Sequence, residues 1–498
     1  MSWSSDNDAV GIRVLLSVGL GTLMSALDAS VVNTVLPVIR AEYQVPVGVI
    51  QWVSTTYLLV MGSLLLTFGR LGDLRGHKRV YLAGLMVFVP ASVLCGISPS
   101  VRMLIAARVL QGIGAAIVVS TAPAILIGNV HPSRMGRMLG LQAAMTSVGL
   151  ALGPSLGGWL TDQWGWRTIF FMNVPIGASA FAIGLRHIPG EKNPSPREET
   201  FDRIGAFLFL AAFLALQVAL SRGNDWGWLS APTLGVFAGS AALGYLFLRQ
   251  ETSVSSPMLH LALFRNRLFS LSVGSALVNY LCMASVLFLV PFYLIQGRGF
   301  SAAKAGMIMT AQFLSMVVTA PLSGRIADRV GSRGPATTGM AILAVGLFML
   351  SAMNGESPLL FVVSSLIVTG AGVAIFVTPN NTAMLGAAPP GRKGIASGIL
   401  ATSRLLGMAT GISFAGAILA AVVGGRSAPG ISPERVFKAT HLAFLSAGLV
   451  ASLSFMAPTN NPVNNPPLIK VLRKKVQVGG HGAEPTVSAW IHPSRVLE

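Results

Sequence analysis

The sequence predicts an all-α integral membrane protein with fourteen membrane-spanning helices. Hydrophobic residues make up 53% of its 498 residues, charged residues make up only 10%, and the mean hydropathy is +0.68. This composition is far from that of soluble globular proteins. The hydrophobic residues are gathered into fourteen runs of about 20 residues or more, the length that a helix needs to cross the hydrocarbon core of a bilayer.

A charged turn that occurs twice indicates that the chain holds two related halves. The two stretches begin at Gly69 and Gly324, lie between apolar runs, and combine glycines and cations with one acid, Asp73 or Asp328. Glycines allow the sharp backbone turns that such a loop needs. The two first glycines are 324 − 69 = 255 residues apart, so we expect two repeats within one membrane protein.

The spans are expected at the fourteen apolar runs, and their even number puts both termini on one face of the membrane. Cytoplasmic loops are enriched in Lys and Arg. With a cytoplasmic N-terminus, 24 of the 35 Lys and Arg fall in internal loops and tails and only 9 in external loops. We therefore expect a multi-pass protein of the plasma (inner) membrane with both termini in the cytoplasm. The predicted spans are residues 12–38, 49–69, 80–98, 103–127, 137–160, 168–187, 203–221, 231–248, 268–295, 304–324, 335–353, 359–384, 395–422 and 438–457.

Two spans are expected to be an inserted pair between two six-helix bundles. Seven apolar runs separate the spans that precede the repeated turns, whereas two directly joined six-helix bundles would have five. The extra spans, 203–221 and 231–248, have polar linkers on either side and little interior polarity apart from Gln217, which favours a lipid-facing accessory role over a substrate role. The predicted domains are a cytoplasmic N-terminus (1–11), a first bundle (12–187), a linker with the inserted pair (188–267), a second bundle (268–457) and a disordered cytoplasmic tail (458–498).

Several function classes are disfavoured by the sequence. The net charge of +18 would suit nucleic acid, but the basic residues form short clusters between apolar runs, which is typical of topology signals. Cys95 and Cys282 both lie inside apolar runs, too few for a disulfide framework. The sequence has no nucleotide-binding P-loop, no metal-spaced His/Cys cluster and no nucleophile motif. We therefore expect no enzyme activity, no cofactor, no metal site and no nucleic-acid partner.

Asp28 is the strongest candidate for chemistry, because it alone among seventeen acids lies well within a predicted span. A carboxylate in hydrocarbon costs several kcal/mol unless it is paired, hydrated or protonated, which suits a proton carrier. A structural hydrogen bond within the bundle is the alternative interpretation. Arg108 enters the fourth span from the other side, and a rise of about 1.5 Å per residue puts both groups in the outer half of the bilayer.

These two groups are expected to pair, so that arrival of substrate or a proton competes with the pairing. An Arg108 side chain that snorkels to the outer surface is the alternative. Gln111 lies one turn further along and is the expected hydrogen-bond partner of Arg108.

The fifth span contains small residues at four-residue spacing around a proline. Glycines permit close helix approach and proline kinks the helix, although generic packing also explains a single pair of such glycines. The residues concerned are Gly149, Gly153, Pro154, Gly157 and Gly158.

In the repeated turns, Asp73 is expected to accept hydrogen bonds from a neighbouring helix N-terminus or to pair with nearby cations. A role in membrane topology alone is the alternative. The turn residues of interest are Gly69, Asp73, Gly76, Arg79 and Asp328.

Polar residues inside other spans are weaker candidates for lining a substrate cavity. The second half has no acid within a span, but Arg404 lies near the middle of one, and either an anionic substrate group or Asn380 and Asn381 would be its partner. Each of the others alone is more often a packing residue. The candidates are Asn33, Trp52, Tyr57, Gln111, Asn279, Asn380 and Arg404.

These motifs together resemble a known family. The repeated turns resemble the loop signature of the major facilitator superfamily, and the stretches 27–37, 149–158 and 164–177 resemble motifs of its fourteen-span drug:proton antiporter family, the EmrB/QacA-like multidrug efflux proteins. Ser30 replaces a usual Thr, and Leu405 replaces the usual Gln after Arg404.

The resemblance implies roles for several of these residues. It implies a proton-coupling role for Arg108, a leak-resistant kinked fifth span at the interface between the halves, and a cytoplasmic latch at the first turn in the outward-facing state.

We therefore expect a proton-coupled antiporter that exports lipophilic small molecules, with multidrug efflux by alternating access. Asp28 is the expected proton site, and the proton gradient is the energy source. The expected partners are a small-molecule substrate, protons and the lipid bilayer, whereas a periplasmic adaptor is not determinable from the sequence. The alternatives are an exporter of a single endogenous metabolite and a non-transporting membrane sensor or scaffold.

Overall fold

The computed structural model describes residues 5–130, 135–190, 202–254, 259, 261–389, 393–423 and 432–456, and these residues form an all-helical protein. Fourteen of its helices are long and apolar enough to cross a membrane, as the sequence predicts. The predicted tail at 458–498 lies outside the described residues. The crossing helices are α1 (Ser5–Tyr43), α2 (Trp52–Arg75), α3 (His77–Gly96), α4 (Val101–Asn129), α5 (Met135–Trp164), α6 (Asn173–His187), α7 (Arg203–Trp226), α8 (Ala231–Ser253), α9 (Arg267–Pro291), α10 (Ala302–Val330), α11 (Arg333–Ser351), α12 (Leu359–Ala387), α13 (Lys393–Val423) and α14 (Pro433–Met456).

Several helices are longer than the apolar runs that predict them. The first begins at Ser5 and ends at Tyr43, well beyond the predicted 12–38, because helical backbone continues past the hydrocarbon core into polar sequence. Since fourteen is even, α1 begins and α14 ends on the same face, which we name the terminal face. The opposite face is named the distal face.

The helices pack as two bundles of six with one pair between them. In the first bundle α1 packs on α5 and α6, and α4 packs on α2 and α3; in the second bundle α9 packs on α13, and α12 packs on α10 and α11. The bundles meet where α2 packs on α13 and α5 packs on α10. The predicted fold, two six-helix bundles with two inserted helices, is confirmed.

The repeated turns have the same backbone geometry in both halves. Gly76 ends α2 with φ 91°, and Gly331 ends α10 with φ 86°. The N–H of each glycine donates to a carbonyl four residues earlier, at 2.9 Å, from Gly76 to Gly72 and from Gly331 to Ala327. This region of φ is strained for residues with a side chain, and 331 − 76 = 255 is the separation seen in the sequence.

The close helix crossings are repeated as well. In α4, a methyl group added to Gly114 would lie 2.6 Å from the backbone nitrogen of Phe88 in α3. In α12, a methyl group added to Gly372 would likewise overlap the backbone nitrogen of Leu343 in α11. Glycine is needed at both positions because the two backbones touch.

The two inserted helices differ from one another. They pack together, and α8 exposes large apolar side chains such as Leu234 and Tyr245 to the surroundings, as a lipid-facing helix does. In contrast, α7 also packs on α2 and α13 and fully buries Gln217. The predicted lipid-facing role thus fits α8 but is incomplete for α7, whose polar side chains contact both bundles.

Candidate functional site

A fully buried ion pair lies inside the first bundle. Asp28 of α1 and Arg108 of α4 are each 0% exposed, and the Arg108 Nη1 donates to the Asp28 Oδ2 at 2.5 Å. The Nε of Arg108 donates to the Val53 carbonyl of α2 at 2.9 Å. Asp28 and Arg108, which the sequence places at the same depth in the bilayer, therefore do form an ion pair. The alternative, an Arg108 that snorkels to the surface, is wrong because α1, α2 and α4 enclose the guanidinium.

Gln111 connects the two charges, as the sequence suggests. Its Oε1 accepts a hydrogen bond from the Arg108 Nη1 at 2.6 Å, and its Nε2 donates to the Asp28 Oδ1 at 2.9 Å. The same Nε2 also lies 3.1 Å from the Ser92 Oγ of α3. The Gln111 amide thus forms hydrogen bonds with both members of the ion pair. Buried charges need such hydrogen bonds as well as a partner of opposite charge.

Two further members of the network were not predicted as site residues. Asn173, the first residue of α6, donates from its Nδ2 to the Asp28 Oδ1 at 2.9 Å and to the Ser92 Oγ at 3.0 Å. Ser92 donates in turn to the Phe170 carbonyl at 2.9 Å. Asn173 could have been noticed as a lone amide near the start of an otherwise apolar run. The sequence does not determine, however, which helix this side chain faces.

Aromatic rings complete the surroundings of Arg108. Its Cζ lies 4.1 Å from the ring centroid of Tyr57 and 5.9 Å from that of Phe170, and both side chains are fully buried. A guanidinium over a desolvated aromatic face gains about 2 kcal/mol. Tyr57 therefore supports the cation, and its hydroxyl donates to the Ser25 carbonyl at 3.1 Å.

A polar cover separates the network from the distal face. The indole Nε1 of Trp166 donates to Glu42 at 2.6 Å, and Arg167 pairs with the other oxygen of Glu42 at 2.5 Å. Trp166 is only 2% exposed, and its ring lies edge-on to Tyr43 of α1. All four residues belong to the first bundle or its loops.

The geometry defines what Asp28 can do chemically. Its carboxylate accepts hydrogen bonds from three side chains, those of Arg108, Gln111 and Asn173. These bonds use three of the roughly four lone-pair positions of the carboxylate, and the negative charge that remains is the one that Arg108 neutralises. Among the described residues no group of His, Cys, Asp and Glu has an arrangement that could hold a metal ion.

The glycines of the fifth span lie against two other helices. A methyl group at Gly149 would lie 2.6 Å from the Leu23 carbonyl of α1, and methyl groups at Gly153 and Gly157 would overlap Ser30 and Val31. A methyl group at Gly158 would overlap the Ala302 carbonyl of α10, and the carbonyl of Pro154 faces Gly306 of the same helix. The motif therefore lies where the two bundles meet.

The first repeated turn makes local contacts at the terminal face. Asp73 is 56% exposed and lies 3.3 Å from the His77 Nε2 and 3.9 Å from the Arg70 Nη1. Of the two expected kinds of partner, nearby cations are the kind observed. Asp328 and Arg79 are exposed, and a methyl group added to Gly69 would lie 3.8 Å from the Ser120 Cβ.

The cavity candidates are dispersed through the molecule. Asn33 is buried and donates to the Ala29 carbonyl of its own helix at 2.8 Å, and Trp52 contacts α7 by way of Ser221.

In the second bundle, Asn279 donates to the Met340 sulfur at 3.5 Å and Asn380 donates to the Ser272 carbonyl at 3.1 Å. Arg404 is half-buried and interacts with the hydroxyl of Tyr280. Of the predicted cavity residues, Tyr57 and Gln111 thus lie beside the ion pair, whereas the others lie in separate parts of the molecule.

Polar contacts close the distal face between the bundles. Asp162, near the end of α5, accepts from the backbone N–H groups of Ala302 and Ala303 at 3.1 and 2.9 Å, at the N-terminus of α10. A carboxylate is favoured there by the exposed N–H groups of the helix end. Gln296 also donates to the Pro37 carbonyl at 3.3 Å. Toward the terminal face, by contrast, α10 exposes apolar side chains, including Leu322 and Val330.

Comparison with known proteins agrees with this architecture. A family model described as Major Facilitator Superfamily matches residues 18–274 and 272–492. The chain is 35% identical over 412 residues to the multidrug resistance protein Stp of Mycobacterium tuberculosis, over 82% of this chain and 76% of that protein. It is 32% identical over 402 residues to the riboflavin transporter RibZ of Clostridioides difficile, over 80% of this chain and 86% of that protein.

Among solved structures, the fold resembles that of a bacterial homolog to the human lysosomal transporter Spinster in an inward-facing and unoccupied conformation. The TM-score is 0.65 at 15% identity, over 90% of this chain and 97% of that one. With matches to both halves of the chain and across most of the length of its relatives, the chain belongs to the drug-efflux family of the major facilitator superfamily.

Proposed function

We propose that this transporter is a proton-coupled antiporter that exports lipophilic small molecules, and that Asp28 is its proton site. The observation that carries the proposal is the isolation of Asp28: the carboxylate is 0% exposed, and Arg108, Gln111 and Asn173 donate to it. A group held so closely changes protonation state only when the surrounding helices move. Such a dependence is what coupling between a proton and a conformational change requires.

The proposed cycle alternates the partner of Asp28. With the distal face closed, Arg108 neutralises the carboxylate. When the distal face opens, water and a proton reach Asp28, and Arg108 shifts its hydrogen bonds to Gln111 and the Val53 carbonyl, both of which it already contacts. Return to the closed form then expels the proton toward the terminal face as the ion pair is restored.

The free energy available from one proton limits how Asp28 exchanges Arg108 for a proton. One proton crossing a potential of 100 mV supplies about 2.3 kcal/mol, whereas removing one partner of a buried ion pair costs about 3–5 kcal/mol. The gradient alone does not offset the loss of the pair. Rehydration of the site and new hydrogen bonds of Arg108 therefore have to supply the difference, which fits protonation in the open form.

The proposed orientation puts the terminal face in the cytoplasm and the distal face outside the plasma (inner) membrane. This assignment is supported by the excess of Lys and Arg in the loops of the terminal face. The repeated turn at Asp73, exposed in this conformation, is then the cytoplasmic latch that closes in the outward-facing state.

The proposed cargo is lipophilic and neutral or singly charged. Asp28 is the one acid well within a span, which leaves no second carboxylate at that depth for a dication. The relative Stp is named a multidrug resistance protein, which supports a broad cargo range.

A second candidate is transport of a single metabolite, and the riboflavin transporter RibZ at 32% identity favours it. Accumulation of only one compound from a chemically varied panel would support this candidate.

The test uses purified protein in lipid vesicles with an acidic interior that contains the pH dye pyranine. We expect ethidium or Hoechst 33342 added outside to accumulate, and the interior pH to rise as it does so. Asp28→Asn should reduce both signals to those of protein-free vesicles, while its elution on size-exclusion chromatography shows that it is folded. Riboflavin in the same vesicles tests the second candidate.

The matched control is Asp225→Asn, which removes an exposed acid that pairs with Arg222 at the end of inserted helix α7. This variant should transport and move protons as the unsubstituted protein does. Coupled accumulation by folded Asp28→Asn at an unchanged rate would remove Asp28 from the mechanism. Accumulation without any change of interior pH would overturn proton coupling.

A further inference from the structure

Inserted helix α7 makes polar contacts with the first bundle through Ser221. The Ser221 Oγ accepts from the Gln51 Nε2 and the Trp52 Nε1, each at 2.8 Å, and lies 3.2 Å from the Gly48 carbonyl. Ser221 is 4% exposed. One hydroxyl of α7 therefore holds the start of α2 by three hydrogen bonds.

The same helix makes polar contacts with the second bundle through Gln217. The Gln217 Oε1 accepts from the Ser413 Oγ of α13 at 2.5 Å, and its Nε2 donates to the Thr410 Oγ1 at 3.3 Å. Gln217 is 0% exposed. Because Gln217 and Ser221 are four residues apart, they lie one above the other on one face of α7, so a single face of this helix contacts both bundles.

The two bundles also touch directly at this place. A methyl group at Gly416 of α13 would overlap the Oε1 of Gln51, the residue that immediately precedes α2. The ends of α2, α7 and α13 thus form a three-helix contact whose hydrogen bonds are all between different helices.

This contact lies toward the distal face. Ser221 is about 27 Å along α7 from Arg203, and Ser413 is about 30 Å along α13 from Lys393, at a rise of 1.5 Å per residue. Both helices start at the terminal face, and α2 starts at the distal face with Trp52. The contact therefore belongs to the closure of the distal face, as does the α5–α10 contact at Asp162.

We propose that α7 is a working part of the distal closure, with Ser221 and Gln217 as positioning residues that hold α2 and α13 together. This inference rests on the proposed transport cycle, in which the distal face has to open. A polar group in hydrocarbon keeps its hydrogen bonds unless replacements are present. Opening of the distal face therefore requires release of one side of the contact.

The second-bundle side is the side that releases. It has two hydrogen bonds, one of them long at 3.3 Å, whereas the first-bundle side has three. On this basis α7 moves with α2, and Gln217 exchanges its bonds to Thr410 and Ser413 for water when the distal face opens.

The test measures the distance between the distal ends of the two bundles by double electron–electron resonance in lipid nanodiscs. Spin labels are placed at Gln163→Cys in α5 and Ala421→Cys in α13, both of which are exposed. The natural Cys95 and Cys282 are each 0% exposed, so they do not compete for the label. We expect one dominant short distance in the otherwise unsubstituted protein.

The double variant Ser221→Ala with Gln217→Leu should raise the fraction of molecules with the longer, open distance about fivefold or more. The double variant Thr410→Val with Ser413→Ala removes the same two hydrogen bonds from the α13 side and should raise the open fraction equally. Because it leaves α7 unchanged, it replaces the first double variant if that protein fails to fold. The matched control is Ser240→Ala, which removes a hydrogen bond of 2.8 Å from α8 to the Ala212 carbonyl of α7 but touches neither bundle.

An open fraction equal to that of the Ser240→Ala control in both double variants would overturn the inference. The measurement needs no proton gradient and no transported compound, so its outcome is independent of the Asp28→Asn result. If Asp28→Asn transports normally while the open fraction rises as expected, proton coupling at Asp28 fails and the role of α7 stands.

Discussion

The two bundles share their packing but not their buried chemistry. Pro37 in α1 and Pro291 in α9 occupy equivalent places and are 291 − 37 = 254 residues apart. The same separation makes Cys282 the counterpart of Asp28, since 282 − 28 = 254. Cys282 is 0% exposed, and its thiol lies 3.5 Å from the Ala447 carbonyl. One place in the repeated fold thus holds a charged side chain in one half and a weakly polar one in the other.

The cation that pairs with Asp28 has an apolar counterpart in the second bundle. Gly112 and Gly370 align α4 with α12, so that Leu366 stands where Arg108 stands, since 370 − 112 = 258 and 366 − 108 = 258. Leu366 is 0% exposed. This difference between the bundles indicates that the fold depends on the close helix crossings, which both bundles have. The Asp28–Arg108 pair, which only the first bundle has, is not needed for the fold.

Removal of the cation alone should have the largest effect. In Arg108→Leu the first bundle keeps a buried carboxylate without its cation, which costs about 3–5 kcal/mol of stability. The double variant Arg108→Leu with Asp28→Leu, which makes this place resemble the second bundle, should recover most of that loss while coupled transport stays absent. Thermal unfolding in detergent measures both changes. A double variant no more stable than the single one would mean that the ion pair itself builds the first bundle.

Loss of one donor to Asp28 should have an intermediate effect. Asn173→Leu removes the hydrogen bond of 2.9 Å to the Asp28 Oδ1 and should cost about 1–3 kcal/mol. Since the carboxylate loses one of its three donors, the rate of proton-coupled transport should fall as well. Rates of accumulation and of interior pH change in the pyranine vesicles check this fall.

The control for that variant comes from the second bundle. Asn279→Leu removes a weak contact of 3.5 Å to the Met340 sulfur and should leave the rate of proton-coupled transport unchanged. An equal fall in both variants would show that buried amides act on transport through stability alone.

The smallest effect is expected at the counterpart of Asp28 itself. In Cys282→Ser a hydroxyl replaces the thiol and can still donate to the Ala447 carbonyl, so stability should change by no more than about 1 kcal/mol. Transport and its pH profile should be unchanged in the vesicle assay. A shifted profile would give the second bundle a part in proton coupling.

The sequence predicted the number of spans, the inserted pair and the ion pair, because each depends on distance along a helix. Asp28 and Arg108 were placed at one depth by counting residues from opposite ends of their spans. Asn173 and Ser92 were missed because hydrogen bonding between helices depends on rotation about each axis as well as on depth. In nearly uniform apolar sequence nothing fixes that rotation.

The contacts of α7 were missed for a related reason. Ser221 lies at the very end of the predicted span 203–221, where a hydroxyl is ordinary at a membrane surface. Trp52 was predicted to line the cavity, and that role remains a prediction, since its indole donates to Ser221. Only the packing of three helices from separate parts of the chain brings these groups together.

The polar cover formed by Glu42, Trp166 and Arg167 has one further consequence. Because it is built from the first bundle and its loops, parting the two bundles does not by itself wet Asp28. Wetting also needs a small displacement of the turn Thr168–Phe171, whose Phe170 carbonyl is tied to Ser92. Once the distal face is open, the rate at which this turn moves therefore limits how fast hydrogen ions reach Asp28.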